Sequence, residues 1–188
     1  MDPEPMETLM SDKLAGKRIA VLATDGFEQV ELDKPVDALR KAGATVEIIA
    51  PDAGQIQGFE HHDKGHKVSV DKTLDDANAG DYDGLVLPGG VINPDALRIE
   101  PRAIAFIESF VGADKTIAAI CHGPWTLIDA GAVKGRRMTS WPSLKTDLQN
   151  AGASWVDETV VVDGPLITSR NPDDLPAFCE AMIKAFAN

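Results

Sequence analysis

Apolar residues fall into two kinds of run along the chain, and the two alternate. Short continuous runs read as strands buried on both faces, as in parallel sheets. Longer stretches with apolar positions three and four apart read as amphipathic helices. Arg18 to Thr24 is the first continuous run. A loop, Asp25-Gly26-Phe27-Glu28, then leads into a helix through about Ala42, with Val30, Pro35, Val36 and Leu39 on one side and Gly43 as its stop. Thr45 to Ala50 predicts a second strand. Asp52 to Lys67, rich in Gly, His and Asp, predicts an irregular excursion, and Val68-Ser69-Val70 at most a short edge strand. Gly84 to Leu87 predicts a third core strand, ending in Pro88-Gly89-Gly90. A helix over Pro101 to Val111, a strand over Thr116 to Ile120 and a helix from Trp125 to Ala130 follow. Beyond Gly135, strands are expected around Met138, Trp155, Val160 and Ile167, with Ser143 to Ala151 helical. The last helix, Asp173 to Ala187, sets Leu175, Phe178, Cys179, Met182, Ile183 and Phe186 on one face, which places Cys179 in the core. Strands alternating with helices predict an α/β fold with a doubly wound, mostly parallel sheet and helices on both faces.

Composition narrows the class. A chain of 188 residues fits one domain, expected over residues 17–188, behind a flexible acidic tail over 1–16. The formal charge of −12 argues against nucleic acid and anionic membrane surfaces as partners. Two cysteines, Cys121 and Cys179, do not make a disulfide framework. With no apolar stretch long enough to span a bilayer and no leader pattern, the expectation is a cytoplasmic protein.

The candidate chemistry centres on Cys121. It stands between the strand Thr116–Ile120 and the helix from Trp125, the arrangement of a nucleophile elbow. Close packing of strand on helix asks for small residues two before and two after the corner, and Ala119 and Gly123 supply them. A helix N-terminus beside the sulfur is expected to favour the thiolate. Gly89 and Gly90 end a neighbouring strand. Their N–H groups, with that of His122, suit an oxyanion hole, and a plain Pro-Gly-Gly turn explains them equally well. Glu28 reads either as a partly desolvated acid donating to the sulfur or as a solvated helix-start carboxylate. His122 need not face its neighbour. His61, His62 and His66 with Asp63 make no closed ligand set, so no metal and no cofactor are expected. The ends of three strands bring Glu28, Gly89-Gly90 and Cys121 to one place.

Together these segments resemble the PfpI family, in the superfamily that includes the parkinsonism-associated protein. The matching stretches are Asp25 to Leu32, Leu85 to Gly90, Ala119 to Pro124, Gly135-Arg136-Arg137, Val160 to Gly164 and Thr168 to Pro176. The resemblance implies a flavodoxin-like, class I glutamine-amidotransferase-like domain and a homo-oligomer, a dimer or higher ring. It implies Cys121 as nucleophile, Glu28 as its hydrogen-bond partner and His122 as acid/base. It also implies an acid from a neighbouring subunit, for which Asp95 after Pro94 is the match. The chain departs from the pattern with Asp in place of Glu, one additional residue in that loop, and Trp125 where many members have Gln. The leading expectation is a stress-response cysteine hydrolase of the peptidase type, acting on a peptide or a small carbonyl compound. The alternatives are a glutathione-independent glyoxalase or deglycase, and a non-enzymatic redox sensor or holdase chaperone.

Overall fold

The computed structural model describes residues 12–188. Strand β1 (Arg18–Leu22) leads through β2 (Phe27–Glu28) into α1 (Gln29–Lys41), and β3 (Thr45–Ala50) returns beside β1. A hairpin of β4 (Gln55–Glu60) and β5 (Asp63–Ser69) follows, then the short β6 (Lys72–Thr73) and β7 (Gly84–Leu87). Helices α2 (Ile92–Arg98) and α3 (Pro101–Gly112) precede β8 (Thr116–Ile120) and α4 (Trp125–Asp129). The chain closes with β9 (Arg137–Met138), α5 (Lys145–Asn150), β10 (Ser154–Trp155), β11 (Val160–Asp163), β12 (Leu166–Ser169) and α6 (Leu175–Phe186).

Seven strands form the main sheet in the order β11-β12-β8-β7-β1-β3-β6. Only the β11–β12 pair is antiparallel. This is the flavodoxin-like, mostly parallel sheet that the alternating pattern predicts. Two cores follow from the strands' period of two. Ile19 and Val21 of β1 face α1 and α6, meeting Leu32, Val36, Leu39, Phe178 and Met182. Ala20 and Leu22 face the other layer, with Phe106 and Phe110 of α3 and Leu127 of α4. The chain builds outward from β1 to β3 on one side, then from β7 to β8 on the other. The reversal between β1 and β7 opens a crevice at their C-terminal ends, where ligands of such sheets bind.

Several expectations need correcting. Ordered structure does not wait for Lys17: Leu14 is fully buried, and its N–H donates to the Ala42 carbonyl at the end of α1. The rest of the proposed tail, residues 1–11, lies outside the described residues. The segment read as irregular is a β-hairpin with a register shift between Gln57 and Phe59, and with β2 it makes a separate three-stranded sheet. Side-chain patterning hides it because β5 is mostly exposed, so backbone pairing rather than apolar burial holds it. Side chains of the loop and first turn fasten it to the body. Asp25 accepts the Gln57 N–H (2.7 Å), Glu28 the His61 N–H (3.2 Å) and Gln29 the His66 N–H (2.8 Å). Helix α2, also unforeseen, buries Asn93, Pro94 and Leu97 and leaves Val91 and Ile92 at its start outside. Cys179 is only half-buried and lines a groove between α1 and α6. Among the described residues, no helix is long and apolar enough to cross a membrane.

Candidate active site

Cys121 is held at the corner with φ +61°, a left-handed conformation that costs an L-residue about 1–2 kcal/mol. Its own backbone bonds fix it there. The Cys121 N–H donates to the Ser169 carbonyl of β12 (3.1 Å), and the Cys121 carbonyl accepts the Trp141 N–H (2.9 Å). The small residues around the corner have a geometric cause. A Cβ on Gly123 would lie 2.5 Å from the Leu87 carbonyl oxygen and 2.9 Å from that of Ile120. The helix therefore packs directly on the backbone of two strands.

The Pro88-Gly89-Gly90 turn at the end of β7 lies against this corner. A Cβ on Gly89 would fall 2.7 Å from the Cys121 Cβ and 2.6 Å from Glu31 Oε1. Gly90 has φ +75° and sits so close to Gly26 that a Cβ would be 2.4 Å from its carbonyl oxygen. Asn93, fully buried in α2, fastens the turn. Its Nδ2 donates to the carbonyls of Pro88 (3.1 Å) and Gly89 (3.0 Å), and its Oδ1 accepts the Thr24 N–H (2.8 Å). The N–H groups of Gly90 and His122 lie against the sulfur, where they favour the thiolate, while the Gly89 N–H, also a candidate oxyanion donor, is taken by Glu31.

The carboxyl set against the thiol is that of Glu31, not Glu28. Glu28 is the N-cap of α1, and its carboxylate faces out to the hairpin, accepting the His61 N–H. Glu31 lies one turn further on, inside the fold and fully buried. Its Oε1 accepts the Gly89 N–H (3.1 Å), while its Oε2 is buried without a hydrogen-bond partner. Burial, reinforced by the negative charge of Glu28, raises the Glu31 pKa to about 8; the Cys121 side chain and the N–H groups of Gly89 and Gly90 only partly oppose this. Glu31 is thus a neutral acid at pH 7. Its protonated oxygen can donate to sulfur or to a substrate oxygen.

The thiol is not the ready thiolate that a helix N-terminus suggests. Burial pushes its pKa up and a charge on Glu31 pushes it further, against the pull of the Gly90 and His122 N–H groups. A five-residue α4 offers too little dipole to reverse this. When Glu31 holds its proton, the charge repulsion is absent.

His122 does face its neighbour. Its Nδ1 lies 3.2 Å from Cys121 Sγ. The ring is stacked on Trp141 (5.7 Å between centroids, 24°) and meets Trp125 edge-on (5.3 Å). Burial lowers its pKa to about 4, so it is a neutral ring at pH 7, and in the tautomer protonated at Nε2 its Nδ1 can accept the thiol proton. Among the described residues no carboxylate meets this ring. Asp95 is exposed on α2 and does not reach it within the chain.

Cys121, Glu31 and His122 open onto a cleft of about 560 Å³ walled by Phe59, Val91, Ile92, Trp141 and Pro172. Glu28, His61 and His62 line its mouth. His66 does not join them; its Nε2 lies 3.4 Å from Asp33. Among the described residues no group of three or more His, Cys, Asp or Glu is arranged to hold a metal ion.

The family profile described as DJ-1/PfpI aligns with residues 17–185. The chain belongs to the DJ-1/PfpI family. Among its relatives, "Protein/nucleic acid deglycase 2" of Escherichia coli is 46% identical, over 86% of this chain and 93% of that protein. "Putative cysteine protease YraA" of Bacillus subtilis is likewise 46% identical, over 86% of this chain and 94% of that protein. The crystal structure of Drosophila melanogaster DJ-1beta superposes with a TM-score of 0.82 at 32% identity, covering 91% of this chain and 90% of the other.

Sequence reasoning missed Glu31, Asn93 and Trp141. Glu31 had a readable signal. It is the one carboxylate in register with the inward stripe Glu31, Pro35, Leu39 of α1, where a solvated acid has no place. Asn93 and Trp141 had none, since their roles depend on which distant backbone they meet.

Proposed function

We propose that this protein is a cysteine-dependent enzyme acting on small α-oxoaldehydes or on the adducts they form, a glyoxalase or deglycase rather than a peptidase. The observation that carries this reading is Glu31, fully buried beside a thiol whose histidine neighbour meets no carboxylate among the described residues. Peptide cleavage needs a histidine that is oriented and charged in turn to protonate a leaving amine, for which a carboxylate partner is the usual device. An aldehyde needs less. As the Cys121 sulfur bonds to the aldehyde carbon, His122 Nδ1 takes the thiol proton. Glu31 gives its own proton to the carbonyl oxygen, with the Gly90 and His122 N–H groups beside the developing charge. Glu31, now a carboxylate, then moves the proton from the sulfur-bearing carbon to the adjacent one, while the hydroxyl proton of the first carbon passes to the oxygen of the second, through an enediol. The resulting thioester is hydrolysed by water to a 2-hydroxy acid, and the thiol is restored. Overall one aldehyde and one water give one hydroxy acid, with no external oxidant.

The 46% identity to "Putative cysteine protease YraA" supports a second reading, peptidase activity. It would require Asp95 to be delivered to His122 by a second copy in a homo-oligomer. One experiment separates the two. Purified protein is assayed against methylglyoxal and against an unfolded protein substrate, with Cys121→Ala and Asp95→Asn alongside. Methylglyoxal turnover lost in Cys121→Ala and kept in Asp95→Asn is the expected result. Proteolysis that exceeds carbonyl turnover and vanishes in Asp95→Asn would establish the peptidase instead.

A further inference from the structure

A histidine that serves a nucleophile has to be oriented, and a carboxylate on its far nitrogen is the usual means. Among the described residues no carboxylate meets the His122 ring. Indole surrounds it instead. Trp141 covers one face and Trp125 closes the side, with centroids 5.7 and 5.3 Å away, and His122 is left 7% exposed. Trp125 is anchored through its own side chain. Its Nε1 donates to Asp147 Oδ2 on α5 (3.0 Å). The Arg98 guanidinium of α2 lies over its ring, 5.3 Å from the centroid, and Arg98 is itself paired with Asp129 of α4 (2.8 Å). Side chains of α2, α4 and α5 thus converge on one indole that takes no part in the bond-making steps. The carboxylate that an oriented histidine calls for is present one ring further out: Asp147 binds Trp125, and Trp125 abuts His122.

We propose that Trp125 is the positioning residue of His122: pinned by Asp147 and Arg98, its indole holds the imidazole in the rotamer that keeps Nδ1 against the Cys121 sulfur, in place of a carboxylate on the far nitrogen. This rests on His122 acting as base toward Cys121, which both readings of the reaction share, and not on the identity of the substrate. The arrangement gives direction with little charge. An indole orients the ring while favouring the imidazolium far less than a carboxylate would. The hydrogen bond to Asp147 matters because an aromatic contact has no fixed direction of its own. A ring that can tilt lets its neighbour tilt, and a misplacement near 1 Å costs roughly a hundredfold in a positioned reaction. Asp147 and Arg98 remove that freedom from opposite elements, α5 and α2.

The test reads the ring itself and needs no substrate. With four histidines in the chain, the His122 imidazole can be followed by long-range proton–nitrogen NMR correlation. The wild-type protein is expected to show one tautomer, protonated at Nε2, because Nδ1 is engaged by the thiol. Asp147→Ala, at an exposed position, should loosen the indole and mix the tautomers. It should also slow alkylation of Cys121 by iodoacetamide at pH 7 about fivefold, the worth of one hydrogen bond. Asp147→Asn keeps an acceptor for the indole N–H and should restore both. Thr146→Ala, at the neighbouring exposed position of the same helix, should alter neither. Trp125→Leu removes the ring and should have the larger effect; if it does not fold, Asp147→Ala still decides. A lower Tm in Asp147→Ala with tautomer and rate unchanged would make the indole purely structural and overturn the proposal. A defect that Asp147→Asn fails to relieve would overturn it too. If the ring responds as described but methylglyoxal is not turned over, the positioning stands and the reading of the reaction fails.

Discussion

Glu31→Gln should lower carbonyl turnover by about 10²–10⁴-fold, the usual worth of a positioned acid–base group, and at the same time make the protein more stable at pH 8. The two effects share a cause. The folded protein holds the Glu31 pKa at about 8, whereas an exposed glutamate in the unfolded chain titrates near 4.5. Between these values the folded state retains a proton that the unfolded state has released. Stability that is fully present below pH 4.5 is therefore lost as pH rises toward 8, with a slope approaching 1.4 kcal/mol per pH unit, roughly. Glutamine copies the neutral acid in shape and hydrogen bonding but has no proton to lose. Urea denaturation from pH 5 to pH 9 is the measurement. The wild-type midpoint should fall across this range and that of Glu31→Gln should stay nearly level. Parallel curves would show that Glu31 is ionised in the folded protein. The same variant should remove any inflection near pH 8 from the alkylation rate of Cys121, because that inflection comes from the charge of Glu31 acting on the thiol.

Gly123→Ala tests the geometry of the elbow rather than its chemistry. The added methyl would meet the carbonyl oxygens of Leu87 and Ile120 at 2.5 and 2.9 Å, and both are strand backbone, not the ends of flexible side chains. Neither can step aside without breaking the β7–β8 pairing that holds the site. Overpacking of this kind costs about 3 kcal/mol, or a fall of roughly 6–12 °C in Tm for a chain of this size. Calorimetry reads it directly. Activity should fall further than the loss of folded protein explains, since any shift of α4 moves His122 relative to Cys121. A Tm within a degree of wild type would mean that the strand–helix approach is looser than the distances imply.

Much of this architecture was readable in the sequence. The continuous apolar runs placed β1, β3, β7 and β8 nearly to the residue, because strands buried on both faces leave no other pattern. Their alternation with helices gave the doubly wound sheet, and the sheet gave the location of the site. What stayed hidden depends on contacts between distant segments. The β4–β5 hairpin is held by its backbone and by Asp25, Glu28 and Gln29, none of which leaves an apolar signature. Glu28 is singled out in the sequence by its place in the loop after the first strand and by the family resemblance, with Glu31 not weighed beside it. Helix geometry reverses that choice. The residue one turn in points down onto the sheet, while the cap residue points away. The thiol's charge state went astray for a related reason. A helix N-terminus is visible in sequence and burial is not, and here burial is the stronger influence.

The bonds that hold Cys121 have a consequence for how the protein is made. Its strained backbone is kept in place by the Ser169 carbonyl and the Trp141 N–H, both supplied by chain that follows it. A ribosome that has released the elbow strand and α4 has not yet released β12. Until that strand inserts between β8 and β11, the Cys121 N–H lacks the Ser169 carbonyl that helps to hold the corner. The strained corner is therefore fully held only once β12 has been made and docked.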